Sequence, residues 1–248
     1  MSRILIADPI NDAGVQKLIH SGHDVDVKVG LPQAEIVKII NLYDALVVRS
    51  ETKVTSEILS AADRLQVVGR AGVGVDNIDL DAATNQGIAV VNAPSGNTIA
   101  AAEHAIALIL ALARNIPQAD ASIREGKWKR SDFMGVELKD KNFGVIGLGK
   151  VGSEVVRRLK AFQAHIIAYD PYIPVEFARS LGVELVEMDR LLADSDFISI
   201  HTPLTASTSQ LLGLEQFPKL KHGVRIINAA RGEMIDESAC EKIDAAGV

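Results

Sequence analysis

Short apolar runs alternate with amphipathic segments along most of the chain. In residues 1–92, strand-like runs stand at Ile4–Ala7, Val25–Val29, Ala45–Val48, Val67–Arg70 and Ala89–Asn92. Helix-like segments separate them at about Asp12–His20, Gln33–Leu42, Ser56–Ala62 and Leu80–Asn85, the last stopped by Gly87. Such alternation predicts a parallel sheet covered on both faces and joined by right-handed crossovers. Ala93-Pro94-Ser95-Gly96-Asn97 then breaks the pattern, and the boundary between domains 1–96 and 97–248 is expected there.

The next segment, Ile99 to Arg114, is apolar nearly all round. A helix without a polar face must be covered on several sides, which predicts packing between domains and against a second subunit. A helix internal to one domain is the simpler alternative. Residues 117–140 are more polar, with Trp128, Lys129, Arg130, Phe133 and Met134 close together. They read either as a contact surface or as a solvated loop with one anchored tryptophan. A homodimer through the 99–140 region is therefore expected. Strand patterns resume at Phe143–Ile146, Ala164–Tyr169, Leu185–Val186, Phe197–Ile200 and Arg225–Asn228. Asp236 to Ala246 reads as a helix with Gly247 as its C-cap. A doubly wound nucleotide domain has six strands, so with five this domain is expected to be incomplete at its C-terminus.

Composition narrows the classes. Of 248 residues, 48% are hydrophobic and 23% charged, an ordinary globular balance. A net charge of −6 does not indicate a basic nucleic-acid footprint. One cysteine, Cys240, excludes a disulfide framework and fits a reducing compartment. No signal-peptide pattern follows Met1, and the longest apolar run, Ala105 to Ala113, is too short to span a bilayer. A cytoplasmic protein without membrane contact or bound metal is expected.

The chemistry centres on Gly147-Leu148-Gly149-Lys150-Val151-Gly152, a G-x-G-x-x-G turn between an apolar strand and a helix with Val155, Val156, Leu159 and Phe162 on one face. Gly147 suits a tight turn, Gly149 a close backbone approach to a pyrophosphate, and Gly152 close helix–strand packing. N–H groups at the helix start, around Lys150 and Val151, face the phosphates. The following strand ends in Asp170, placed to accept hydrogen bonds from an adenosine ribose and to repel a 2′-phosphate. The cofactor expected is NAD. An empty glycine turn with Asp170 as a strand-end cap is the plain alternative.

Six segments resemble the D-isomer-specific 2-hydroxyacid dehydrogenases, in that family's order and spacing from residue 48 to 232. They are Val48-Arg49-Ser50-Glu51-Thr52-Lys53, the run from Gly69 to Asp79, the run from Asn92 to Thr98, the glycine turn with Asp170, His201-Thr202-Pro203-Leu204-Thr205, and Asn228-Ala229-Ala230-Arg231-Gly232. The resemblance implies a flavodoxin-like substrate domain followed by a Rossmann NAD-binding domain. It implies that Val73 and Gly74 offer N–H groups to the substrate carboxylate, and glycine density independently suits an anion-binding loop. Arg49 and Ser50 would line the cleft near a substrate phosphate. Asn97 would sit on the substrate side and Thr98 on the cofactor side. His201, Thr202 and Pro203 would flank the cofactor, so His201 is not read as a catalytic base. His104, within the apolar helix, is read as a structural histidine. Ala229 and Ala230 would let backbone approach the nicotinamide, and Arg231 would be catalytic, orienting the acid and polarising its C2 oxygen.

The reaction implied is NAD-dependent oxidation of a small phosphorylated 2-hydroxy acid. The family's catalytic histidine and glutamate, and an aspartate after its sixth strand, are expected to lie beyond this chain, and little turnover would then be expected of it alone. Glu233 stands where a second glycine is usual, and Cys240 where leucine is common. A glyoxylate, hydroxypyruvate or D-lactate reductase is the alternative within the class. A non-catalytic NAD-sensing module is the alternative outside it.

Overall fold

In the computed structural model, which describes residues 1–239, each of two units is built on a five-stranded parallel sheet. The units are Met1–Asn97 and Thr98–Val248. The first holds β1 (Arg3–Ile6), α1 (Asp12–His20), β2 (Asp24–Val27), α2 (Gln33–Ile39), β3 (Ala45–Val48), α3 (Ser56–Ser60), β4 (Val67–Arg70), α4 (Leu80–Asn85) and β5 (Ala89–Asn92). Its order, β2-β1-β3-β4-β5, is the flavodoxin-like one.

Local chemistry sets these boundaries. Asn11 accepts from the Ala13 N–H at the start of α1, and Asp79 accepts from the Ala82 N–H at the start of α4. Gly87, at φ +69°, ends α4 in the left-handed region that glycine favours. The helix expected over 33–42 tightens into a 3-10 turn at Ile40–Leu42. Tyr43, fully buried, is pulled inward there, and its hydroxyl donates to Asp26 at 2.7 Å. Leu5, Ile36, Leu46, Ile58, Leu59 and Val68 form the centre of this unit's core.

The second unit holds α5 (Thr98–Arg114), α6 (Ile116–Arg124), β6 (Asn142–Ile146), α7 (Lys150–Ala161), β7 (His165–Tyr169), α8 (Val175–Ser180), β8 (Glu184–Leu185), α9 (Met188–Asp194), β9 (Phe197–Ile200) and β10 (Arg225–Asn228). The order β10-β9-β6-β7-β8 corresponds to five strands of the Rossmann arrangement, with the reversal in strand order at β6 and β9. On one face of the sheet, α5 and α7 pack over Phe143, Val145 and Phe197. On the other, α9 brings Leu191 and Leu192 against Ile146, Ile198 and Ile200. Phe143 and Phe197 stack with ring centroids 4.7 Å apart, joining adjacent strands.

Two expectations change. Within its unit α5 buries one stripe, Ala102, Ala105, Ile109 and Ala113, while Ala100, His104, Ala107, Leu108 and Leu112 are exposed. His104 is thus exposed within its own unit. Residues 117–140 contain a helix, α6, which starts with Pro at its first turn, and Trp128 is 80% exposed and so not an anchor. The helix expected at Asp236–Ala246, with Cys240 and Gly247, lies mostly outside the described residues. Among the described residues, no single helix is long and apolar enough to cross a membrane.

Gly144 in β6 lies beneath α9: a Cβ there would meet Leu191 at 2.6 Å and overlap the Ser195 hydroxyl. Gly144→Ala should lower unfolding stability by roughly 1–3 kcal/mol in urea titrations. Gly69→Ala in β4, whose nearest neighbour would be Val91 at 3.8 Å, should leave it unchanged or slightly raised.

Candidate cofactor- and substrate-binding sites

The three glycines after β6 have different physical reasons to be glycine. Gly147 has φ +93°, and a Cβ on it would stand 2.9 Å from the His201 carbonyl and from the Thr202 methyl. A Cβ on Gly152 would fall onto the Gly147 carbonyl oxygen. Both are demanded by the protein's own packing. Gly149 is not: at φ −62° it has ordinary backbone geometry, and its Cβ position has nothing within 4 Å. That open space, on the loop that starts α7, is what a closely approaching pyrophosphate needs. The N–H groups of the first turn of α7 have no acceptor four residues back, and the helix dipole adds partial positive charge there. Ser153 closes the turn by donating to the Leu148 carbonyl at 2.8 Å.

Asp170, half-buried at the end of β7, is drawn to this loop. One carboxylate oxygen accepts from the Leu148 N–H at 2.8 Å, and the other from the Tyr172 N–H at 2.9 Å. Each oxygen retains a lone pair for a further donor, as a ribose diol would supply. The residues present therefore fit a dinucleotide.

His201 follows β9 and donates its backbone N–H to the Ile146 carbonyl at 2.8 Å, which sets His201 and Thr202 beside Gly147. Its ring shares a 2.8 Å hydrogen bond with the buried Ser199 hydroxyl. Burial pushes the imidazole down to about 4, so it is neutral at physiological pH and carries no charge to a phosphate. Thr202 donates to the Met234 sulfur at 3.5 Å, and Pro203 is exposed. After β10, Asn228 accepts from the Ala230 N–H and donates to the Arg231 carbonyl, which curls Ala229–Arg231 into a tight turn. Arg231 is half-buried and donates from Nη1 to the Ala230 carbonyl.

In the first unit, Arg49, Ser50, Val73 and Gly74 lie on two loops fastened to one another by side chains. Asp8, 1% exposed, accepts from the backbone N–H groups of Arg49, Glu51 and Thr52 and from the Thr52 hydroxyl. Burial alone would raise its pKa, but these donors outweigh burial and hold the carboxyl below its usual range. The Arg49 carbonyl accepts from Arg70 Nε at 3.0 Å and Asn77 Nδ2 at 2.8 Å. On the second loop, the carbonyls of Gly72, Val73 and Gly74 are held by the Ala93 N–H, Asn92 Nδ2 and Arg70 Nη1. Trans peptides point N–H opposite to C=O, and no peptide among the described residues is cis, so the N–H groups of Val73, Gly74 and Val75 face away from these anchors. Successive backbone N–H groups left on one side of a loop are what an anion-binding loop offers. The Arg49 side chain is exposed, with one weak bond to the Pro9 carbonyl at 3.4 Å. Asn97 ends the first unit, exposed, and Thr98 opens α5.

Residues 106–246 match the sequence model of the D-isomer specific 2-hydroxyacid dehydrogenase NAD-binding domain, more than half of the chain. The chain belongs to this family. The match falls in its second unit, the family's NAD-binding domain, which carries the glycine loop and Asp170. D-3-phosphoglycerate dehydrogenase of Archaeoglobus fulgidus is 52% identical over 99% of this chain and 46% of its own length. That of Methanocaldococcus jannaschii is 50% identical over 96% and 46%. The chain thus spans about half the length of the curated relatives it matches. Among solved structures, D-lactate dehydrogenase from Aquifex aeolicus, complexed with NAD and lactic acid, superposes with a TM-score of 0.87 at 28% identity, covering 99% of this chain and 74% of that one.

Sequence patterns did not single out Asp8, Arg70, Asn77 or Asn92 as site builders. Asp8 and Arg70 do carry a readable signal: each stands at or just after the carboxyl end of a strand, where ligand loops begin.

Two outcomes follow from this geometry. Gly149→Val should weaken NADH binding at least tenfold in fluorescence titrations while leaving Tm within about 2 °C, because it fills ligand space only. Gly152→Ala should lower Tm itself. Second, the native state keeps His201 neutral down to pH about 4, whereas the unfolded chain protonates it near 6.5. Its contribution is complete above 6.5 and falls as pH drops toward 4, by on the order of 1.4 kcal/mol per pK unit. His201→Gln should flatten the decline of unfolding free energy between pH 6.5 and 4.5.

Proposed function

We propose that the protein is an NAD-dependent D-3-phosphoglycerate dehydrogenase, oxidising the C2 hydroxyl of 3-phosphoglycerate to the ketone of 3-phosphohydroxypyruvate. The observation that carries the reading is identity of about 50% over nearly the whole chain with several dehydrogenases of that name. Next to it stands an Arg49-bearing loop rigidly mounted beside a backbone nest, which suits a substrate with two anionic ends. NAD, when bound, supplies the hydride acceptor. In this reading the Gly147–Gly152 loop and the first turn of α7, with Lys150 and Val151, hold the pyrophosphate, and Asp170 holds the adenosine ribose. His201, Thr202 and Pro203 line the cofactor with Thr98, and Ala229 and Ala230 leave room for the nicotinamide. The N–H groups of Val73 and Gly74 hold the substrate carboxylate, with Asn97 beside it. Arg49 and Ser50 hold the phosphate. Arg231 orients the acid and stabilises charge on the C2 oxygen, for which a planar guanidinium is better matched than an ammonium.

The same reading includes a cytoplasmic homodimer. The outward stripe of α5, Leu108 and Leu112 with Ala100 and Ala107, together with exposed Ile116 and Ile123 of α6, is the kind of apolar surface a two-fold partner covers. Light scattering should give twice the protomer mass, and Leu112→Glu should shift it toward monomer.

The test is NADH oxidation by the full-length protein with 3-phosphohydroxypyruvate, glyoxylate and pyruvate. The phosphorylated acid should be favoured in kcat/KM by at least roughly tenfold. A preference for glyoxylate or pyruvate would overturn the substrate. Arg231→Lys should lower kcat/KM by about 100-fold or more, with NADH affinity unchanged.

A further inference from the structure

Arg70 ends β4 in the middle of the first unit's sheet and is 8% exposed. Burying a guanidinium costs several kcal/mol unless its charge is compensated. Other arginines of this protein, among them Arg3, Arg64, Arg158 and Arg190, are paired with carboxylates at its surface. Arg70 makes no ion pair among the described residues. Its protein partners there are two backbone carbonyls, that of Arg49 through Nε and that of Gly74 through Nη1. Its Nη2 bonds to none of the described residues and is not walled off from solvent. Room for the group is specific: a Cβ on Gly72 would press on Nη1 at 3.3 Å. The same hub carries a second unfinished group. Asn77 donates to the Arg49 and Thr52 carbonyls, yet its own Oδ1 is buried without a partner. A buried cation without counter-ion beside an unpaired acceptor is a costly arrangement for a fold, and such costs gather where ligands bind.

We propose that Arg70 is a positioning and specificity residue for a doubly anionic three-carbon acid, its buried charge compensated by the ligand rather than by the protein. It acts in two ways. By holding the Arg49 and Gly74 carbonyls inward it fixes both loops, so that the Arg49 side chain and the N–H groups of Val73, Gly74 and Val75 remain turned toward the anion. Its uncompensated positive charge, acting through a low-dielectric interior, favours a substrate carrying two negative groups over one carrying a single carboxylate. The inference rests on the 2-hydroxy-acid reading above and adds the residue on which the preference for the phosphorylated member depends.

The experiment compares Arg70→Met and Arg70→Lys with the unmodified full-length protein. Calorimetry measures 3-phosphoglycerate and D-glycerate binding, fluorescence measures NADH binding, and steady-state kinetics separates KM from kcat. Arg70→Met should weaken 3-phosphoglycerate binding by roughly 30-fold or more and D-glycerate binding by far less. KM for the phosphorylated substrate should rise while kcat stays within about threefold, with NADH affinity unchanged. Arg70→Lys, keeping the charge but not the fork, should recover most of the discrimination between the two acids. Equal losses for both acids in Arg70→Met, or no loss, overturn the proposal, and so does an Arg70→Lys protein no better than Arg70→Met. Should Arg70→Met fail to fold, the Arg70→Lys discrimination decides alone: a collapse to equal affinity for the two acids overturns the proposal. If the unmodified protein binds neither acid, it is the functional reading that fails.

Discussion

The packing of Gly152 against the Gly147 carbonyl, where a Cβ would fall onto the oxygen, governs how the second unit can work. With no Cβ at either position, α7 packs tightly on β6 and the His201 segment closes over the turn. The helix start is thereby held at the carboxyl edge of the sheet, at the reversal of strand order, and Gly149 is left with open space at its Cβ position. Asp170 is tied to the same loop, because the Leu148 N–H holds one oxygen of its carboxylate while the Tyr172 N–H holds the other. The glycine loop is thus two packing constraints with one open position between them.

The first unit solves a similar problem with the opposite means. Its loops carry no helix start of useful length, so buried charges do the shaping. Asp8 gathers the N–H groups of the Arg49–Thr52 loop, while Arg70 and Asn77 gather its carbonyls. Donors and acceptors of one short loop are therefore satisfied from opposite sides, which fixes its register without a helix or strand. Both devices put backbone groups, rather than long flexible side chains, in the places where an anion would sit, and a preset backbone loses little entropy on binding.

Much of this was legible in the chain, and for definite reasons. Strands such as Ala45–Val48, Val67–Arg70 and Ala89–Asn92 are short continuous apolar runs bounded by polar or turn residues, and that signal suffices for them. The glycine loop was legible because its residue types are dictated by sterics. What escaped was set by long-range contacts. The α6 helix hides behind a polar composition, and the short helices α8 and α9 have too few turns to show a period. The exposure of His104 within its unit was hidden because a helix of almost uniform hydrophobicity does not show which stripe is buried; α7 and the sheet decide that. Asp8 bonds to residues more than 40 positions away and Arg70 to a loop 21 positions away, so neither role is visible in any local window.

Whether the glycine loop and Asp170 form an NAD site is tested directly by a single titration. NADH and NADPH would be titrated into the protein, following nicotinamide fluorescence at one ionic strength. The account predicts NADH binding at least roughly tenfold tighter, because the Asp170 carboxylate meets the 2′-hydroxyl favourably and a 2′-phosphate with repulsion. NADPH binding as tightly as NADH, or more tightly, would contradict it.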